Sequence, residues 1–373
     1  MIYLDNAATT LHKPPEVAEA VKNAILTAGN ASRGAHGVSL SASRTVFETR
    51  SRLAKLFGCP RADHVVFTAN STEALNIAIY GLFSSGDHVI STDLEHNSVL
   101  RPLYDLQTRG VSVDFVPADR QGNIRYEDME TLFRPETKAV VCTHASNLTG
   151  NLRDIAKIGA MAHAHGALLI VDASQTAGAV PIDMQRMNID VLCFTGHKGL
   201  LGPQGTGLLL CAQPGTPLLY GGTGTQSLSR EMPEELPERL EAGTLNVPGY
   251  AGLTQGLSYL NRVGTEGGFR REQGLAEHCA HGVIRQGFRV FAGPHQGATV
   301  SFVPSVDCET GAELLARQGF AVRAGLHCAP LAHKTAGTLE EGTVRLSVSA
   351  FNQPWEMDAA ARQLRQVCSR AGA

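Results

Sequence analysis

The sequence predicts an α/β protein, with a large domain on a mostly parallel sheet and a smaller α+β domain. Three observations carry that expectation. From His64 to Gly207, short apolar runs of strand length alternate with helical patterns, the order that builds a parallel sheet with helices on both faces. Several of those runs, Leu168 to Val171 among them, are apolar at every position, as strands buried on both faces are. The length, 373 residues, is too great for one compact core and suggests about two domains. We expect residues 16–245 to form the large domain, and residues 1–15 with 246–373 the small one.

The elements follow in order. YLDNAATT, residues 3–10, precedes Pro14-Pro15 and a helical pattern from Glu16 to Leu26 that Gly29-Asn30 ends. The Gly/Ser-rich stretch up to Ser43 is too rich in breakers for a core element and too long for a simple turn, so a mobile or functional loop is expected. Val46, Arg50, Leu53, Ala54 and Phe57 restore a helix, which Gly58 closes. Strands are expected at His64–Thr68, His88–Ser91, Val111–Val116 and Ala139–Thr143, with helices from Thr72, Val99, Tyr126 and Asp154 after them. Two further runs, Leu168 to Val171 and Asp190 to Phe194, lead to Gly207-Leu-Leu-Leu-Cys211. Residues 214–249 are then rich in Gly, Pro and Thr, and helices near Gly252–Arg262 and Gly274–Gln286 with short strands make the smaller domain.

Bulk properties exclude several classes of function. The chain is 43% apolar and 18% charged with a net charge of -3, so nothing draws it to nucleic acid or an anionic membrane. The N-terminus lacks the basic and apolar regions of a signal peptide, and no apolar stretch has the length of a membrane span; the expected address is the cytoplasm. The eight cysteines form no CxxC and are scattered, indicating neither a metal site nor a disulfide framework. Most are expected to be small buried hydrophobes.

Chemistry concentrates where the strands end. Leu168 to Val171 delivers Asp172, and the next run delivers Thr195-Gly196-His197-Lys198, 26 residues on from that aspartate. Carboxyl ends of strands in open α/β sheets are where ligands bind. A lysine for a Schiff base and an acid for a pyridinium nitrogen are what pyridoxal phosphate requires, although this pair alone serves equally well as a structural Lys and Asp in turns. Three neighbouring junctions add to it. Asn70 can cap the helix after Thr68, with Glu73 as the capping-box acid, leaving a helix N-terminus suited to a phosphate. His96, in Glu95-His96-Asn97-Ser98, could lie against a flat ring and move protons. Asn147, in Ser146-Asn147-Leu148-Thr149-Gly150, could donate to a phenolate oxygen or simply build a turn with Gly150.

These motifs in this order closely resemble fold-type I pyridoxal phosphate enzymes, and more narrowly the class V aminotransferases of the cysteine desulfurase and selenocysteine lyase group. The resemblance spans nearly the whole chain. It includes YLDNAATT, the loop with Asn30, Arg33 and His36, TGHKGLLGPQGTG, Glu241-Ala-Gly-Thr-Leu-Asn246, RAGLHCAP and VRLSVSAFN.

The resemblance implies the following roles. Lys198 links the cofactor, Asp172 pairs with its pyridine nitrogen, and His96 stacks on its face. Asn147 and Gln175 reach its oxygen side, and Thr72, Thr195 and His197 bind its phosphate. Thr244 reaches the phosphate of a neighbouring subunit, which implies a homodimer with a shared active site. Arg345 clamps the substrate α-carboxylate, a task for a bidentate fork that lysine performs poorly. Asn30 and His36 are further substrate-binding candidates, and no metal is implied.

Cys328 decides the reaction. It lies in Arg323-Ala-Gly-Leu-His-Cys328-Ala-Pro330, where neighbouring cationic groups could favour its thiolate. The resemblance makes it the residue that takes sulfur from cysteine as a persulfide, leaving alanine, with a sulfur-acceptor protein as a possible partner. The alternatives are a selenocysteine lyase, or another class V enzyme such as an aminotransferase or β-elimination lyase. His333 and Lys334 after Cys328, the glycine-rich Tyr220–Gln226 stretch and the short chain depart from the group's usual pattern, which leaves the substrate less defined than the cofactor.

Overall fold

The computed structural model describes residues 1–31, 34–293 and 295–370, the last four through their backbone alone. Its first half comprises β1 (Ile2–Tyr3), α1 (Pro15–Thr27), α2 (Gly37–Phe57), β2 (Val65–Thr68), α3 (Ser71–Leu82), β3 (His88–Thr92), α4 (Asn97–Thr108) and β4 (Ser112–Val116). Next come α5 (Tyr126–Glu130), β5 (Thr137–Thr143), α6 (Ile155–Ala164), β6 (Leu168–Asp172), β7 (Val191–Thr195), β8 (Gly207–Cys211) and α7 (Val247–Val263). The C-terminal third holds α8 (Thr265–Arg285), β9 (Arg289–Phe291), β10 (Thr299–Val303), α9 (Cys308–Arg317), β11 (Phe320–Ala321) and β12 (Arg323–Gly325). It closes with α10 (Pro330–Ala336), β13 (Thr343–Ser347) and α11 (Pro354–Arg370).

Seven strands form the large sheet in the order β2-β8-β7-β6-β5-β3-β4. Only β8 runs against its neighbours, so β2, β3, β5, β6 and β7 all end on one edge. Strand pleating sorts their side chains into two cores. Phe67, Val140, Leu169, Val171, Leu192 and Phe194 face α2 and α7, whereas Val66, Val141, Ile170, Val191 and Cys193 face α3 and α4. This two-sided burial is why the runs are apolar at every position.

A separate core joins Leu4 to Leu275, Cys279, Val300, Phe302, Val344, Leu346 and Leu364, around the antiparallel sheet β12-β13-β10-β9. Helix α7 does not share it. Its Val247, Tyr250, Leu253, Leu257 and Leu260 pack in the large core, so we place the packing boundary after Val263 rather than at 245/246.

Two expected loops are partly helix. Helix α2 starts at Gly37 rather than after Ser43, capped by His36, and Ser39 and Ser43 hydroxyls donate to the carbonyls of Asn30 and Ala31 at 2.6 Å each. Arg33 lies outside the described residues. Helix α7 starts at Val247, where Asn246 accepts from the Gly249 amide at 3.0 Å. Its glycines are close-approach positions: a Cβ at Gly256 would lie 2.3 Å from the Leu200 carbonyl oxygen, so only glycine lets α7 seat against the turn that follows Lys198.

The Asn70 cap forms as expected, its side chain accepting from the Glu73 amide at 2.9 Å while Glu73 returns to the Ala69 amide. Asn70→Ala should therefore cost about 1 kcal/mol of stability, read as a lower denaturation midpoint at constant m-value.

Candidate active site

The common edge of the strands opens into a cleft of about 540 Å³ of empty space. It is lined by Thr72, His96, Asn147, Asp172, Gln175, Thr195, His197 and Lys198, eight residues singled out from the sequence, together with Asn70, Ser71, Ser98 and Ser174. They come from the ends of five strands, β2, β3, β5, β6 and β7, which share one edge, and for that reason they meet. The lining, several polar groups converging at strand ends, is that of a small-molecule site.

Electrostatics fit the assigned chemistry. Burial pushes the Lys198 amine down to about 8; Asp172 works against that shift, and Arg345 with it. A lysine so placed has a sizeable neutral, nucleophilic fraction near neutrality. Burial also lowers His96, opposed by Asp172 and aided by Lys198 and Arg345. Its Nδ1 accepts from the Ser98 amide at 3.0 Å and meets the Ser98 hydroxyl at 2.8 Å, which fixes the ring. Burial, with Lys198 and Lys13, takes His197 to about 4, and Thr9 Oγ1 lies 3.0 Å from its Nδ1. Asp172 accepts from the Ser174 amide at 2.9 Å and from its hydroxyl at 2.5 Å.

Gln175 donates to the Ala7 carbonyl at 3.2 Å and Asn147 to the His327 carbonyl at 2.6 Å. The second bond ties the cleft to Cys328. The Cys328 carbonyl in turn accepts from the Asn97 amide at 2.7 Å, one residue from His96. His327 and Cys328 both have left-handed backbones, φ 48° and 57°, costing about 1–3 kcal/mol each. These two anchors hold that turn in place. His327 Nε2 is 3.1 Å from Thr343 Oγ1, and burial pushes its ring down to about 2, so it stands neutral. Cys328 is the exposed cysteine of the described set; Cys59, Cys142, Cys193, Cys211, Cys279 and Cys308 are buried.

Arg345 is buried with Nη1 donating to the Asn147 carbonyl at 3.1 Å, beside the cleft rather than in its lining. The other three sequence candidates are elsewhere. Thr244 and Asn30 line a second, more open cleft with Arg50 and Glu241, and His36 is exposed and spent as the cap of α2. Within one chain, neither Asn30 nor His36 lines the cleft of Lys198. The buried ion pair of Arg50 and Glu241, 2.6 Å, anchors the segment that carries Thr244.

Sequence reasoning passed over Ser98, Ser174, Asp5 and Glu95. Ser98 had a signal: a hydroxyl two residues after His96 at a helix start is a capping pattern. Glu95, next to His96 in the chain, is fully buried, its carboxyl pushed up to about 7 by that burial, and it accepts from the Thr143 amide at 3.0 Å.

The family model for aminotransferase class-V matches residues 2–359. The chain belongs to the aminotransferase class-V family. Among the relatives of this class V chain, a probable cysteine desulfurase from Methanothermobacter thermautotrophicus is 34% identical across 98% of the chain and 94% of its own length. The apo structure of a cysteine desulfurase from Thermococcus onnurineus NA1 superposes with a TM-score of 0.92 at 31% identity, covering 99% of this chain and 95% of that one. The Escherichia coli cysteine desulfurase CsdA, in its S-sulfonic acid form, gives 0.89 at 29% identity, with 99% and 94% covered. The class V fold accounts for the sheet order and the shared strand-end edge.

Proposed function

We propose that this class V protein is a pyridoxal phosphate-dependent cysteine desulfurase, releasing alanine from L-cysteine and keeping its sulfur as a persulfide on Cys328. The observation that carries the reading is the tether between two parts of the site. A strained, exposed Cys328 turn is bonded through Asn97 and Asn147 to the cleft that holds Lys198, Asp172 and His96. The cysteine desulfurases among the relatives and solved structures support it.

The residues present fit the cofactor. The α3 N-terminus with Thr72, Thr195 and His197 would hold a phosphate, Asp172 a protonated ring nitrogen, His96 the ring face, Asn147 and Gln175 the ring oxygen, and Lys198 the covalent link. When bound, pyridoxal phosphate draws electrons from the substrate's Cα and so weakens the bond to its proton. Lys198 would take the Cα proton, and the Arg345 guanidinium would hold the α-carboxylate. His96, neutral, is suited to hold or pass a proton at the ring face. Cys328 Sγ attacks the substrate sulfur: an S–S bond forms as the C–S bond breaks, that bond's electron pair stays with the carbon, and a proton on Cβ completes alanine. A reduced thiol on an acceptor then removes the sulfur. Free Cys328 suits the cytoplasm, where thiols stay reduced.

The exposed Thr244 beside its own cleft supports a homodimer in which each chain completes the other's phosphate site.

The test is a substrate panel of cysteine, selenocysteine and a cystathionine-like thioether, assayed for alanine against pyruvate. The reading expects alanine with sulfide in the presence of a reductant. Pyruvate and ammonia instead would make the enzyme a β-elimination lyase.

A further inference from the structure

Arg323 and Arg345 are direct cross-strand partners on β12 and β13. Like charges on opposed residues of an antiparallel pair repel and weaken the pairing. Between these two lies Asp5, from the other end of the chain. Arg345 Nη2 is 3.1 Å from Asp5 Oδ1, Arg323 Nη2 is 3.1 Å from Oδ2, and Arg323 Nε lies 3.3 and 3.1 Å from the two oxygens. The backbone fixes the carboxylate itself. Asp5 bridges to Ser347, the Ser347 amide donates to the Leu4 carbonyl at 2.7 Å, and the Ala7 amide donates to Ser347 Oγ at 2.8 Å. Arg345 Nε is buried without a partner among the described residues.

The charge count is simple: two guanidiniums and one carboxylate leave one positive unit beside the cleft. A single α-carboxylate cancels it.

We infer that Asp5 is a positioning residue for substrate recognition: by bridging Arg323 and Arg345 it holds the Arg345 fork beside the cleft and trims the local charge to what one α-carboxylate neutralises. The inference rests on Arg345 as the carboxylate clamp. Cysteine, with a neutral side chain, matches that charge; an amino acid with a second carboxylate brings one negative charge too many. Removing the Asp5 charge leaves two opposed guanidiniums without their bridge, so Arg345 is pushed out of register while the site becomes more tolerant of acidic ligands.

The experiment uses holoenzyme carrying Asp5→Asn, Asp5→Glu, the Asp5→Asn/Arg323→Gln pair, and Arg345→Lys as a control. Steady-state constants with cysteine are measured, and alanine and aspartate binding is followed by calorimetry. Asp5→Asn should raise the cysteine KM and the alanine Kd about tenfold or more, with kcat changed by less than about threefold, the pattern of lost uniform binding. Its affinity ratio should shift toward aspartate at low salt. Asp5→Glu, which keeps the charge, should fall between Asp5→Asn and the unmodified protein. Adding Arg323→Gln to Asp5→Asn should recover most of the lost alanine affinity, because the repulsion is gone. A residue that merely props the backbone would gain nothing from that second change. An unchanged KM in Asp5→Asn, or no recovery in the pair, overturns the inference. Should Asp5→Asn fail to fold, the pair carries the test alone: alanine affinity near that of the unmodified protein supports the inference, and affinity tenfold weaker overturns it. Arg345→Lys separates the two levels. If it raises KM while Asp5→Asn does not, only the Asp5 inference fails; if it leaves KM unchanged, the clamp reading fails.

Discussion

Lys198→Ala should lower cysteine turnover by at least about 10³-fold and abolish the visible absorption of the lysine-linked cofactor. The expectation follows from where the lysine sits. It ends the β7 segment, its following turn is pinned by α7 at Gly256, and it lines the cleft beside Asp172. Among the described residues, no other lysine lines that cleft. A pH dependence accompanies this. Burial holds the amine at about 8, below its ordinary 10.5, so the charged form is penalised in the folded chain. That penalty is full below about 8 and fades as pH rises toward 10.5, so this group's contribution makes the apoprotein more stable across that interval. The neutral amine also becomes populated through the same lower bound. Covalent capture of added pyridoxal phosphate by the apoprotein should therefore speed up through about pH 8 and level off above it, in a stopped-flow absorbance measurement. A rate that stays flat from about pH 7 to 9 would contradict the assignment.

Cys328→Ala should cut sulfide and alanine output from cysteine by at least about 10²-fold while leaving cofactor absorption intact. The separation is physical. The anchors of the turn are the backbone carbonyls of His327 and Cys328, bonded to Asn147 and Asn97, and these survive loss of the thiol. The cleft is thus undisturbed, and only the sulfur acceptor is removed. Substitution by another described cysteine is closed off: Cys142, Cys193, Cys211 and Cys279 are buried, and burial pushes Cys211 and Cys279 up to about 12. Alanine forming undiminished in Cys328→Ala would remove the persulfide role.

Much of this was legible in the sequence, for identifiable reasons. The parallel sheet shows itself because strands covered on both faces must be apolar at every position. Polar residues at the ends of those runs then stand out, and Asp172, His96, Asn147 and Lys198 meet because their strands end on one edge. The loops were harder. The Gly/Ser-rich stretch before Ser43 looked irregular because serine and glycine are counted as breakers. In α2 the serine hydroxyls bond back to carbonyls, and in α7 the glycines are packing positions against the Leu200 turn. The domain limit expected at 245/246 falls just before α7, which packs in the large core through Tyr250, Leu253 and Leu257. Asp5 lies in the YLDNAATT motif, yet nothing in the sequence ties it to its arginine partners. Its partners are Arg323 and Arg345, more than 300 positions away, and only β1 pairing with β11 and the bridge to Ser347 bring it to them.

The most direct measurement is the mass of the peptide containing Cys328 after a single turnover with L-cysteine and no reductant. The account predicts a gain of one sulfur atom on Cys328, with one alanine released for each persulfide formed. An unmodified Cys328 peptide alongside stoichiometric alanine or pyruvate would contradict it.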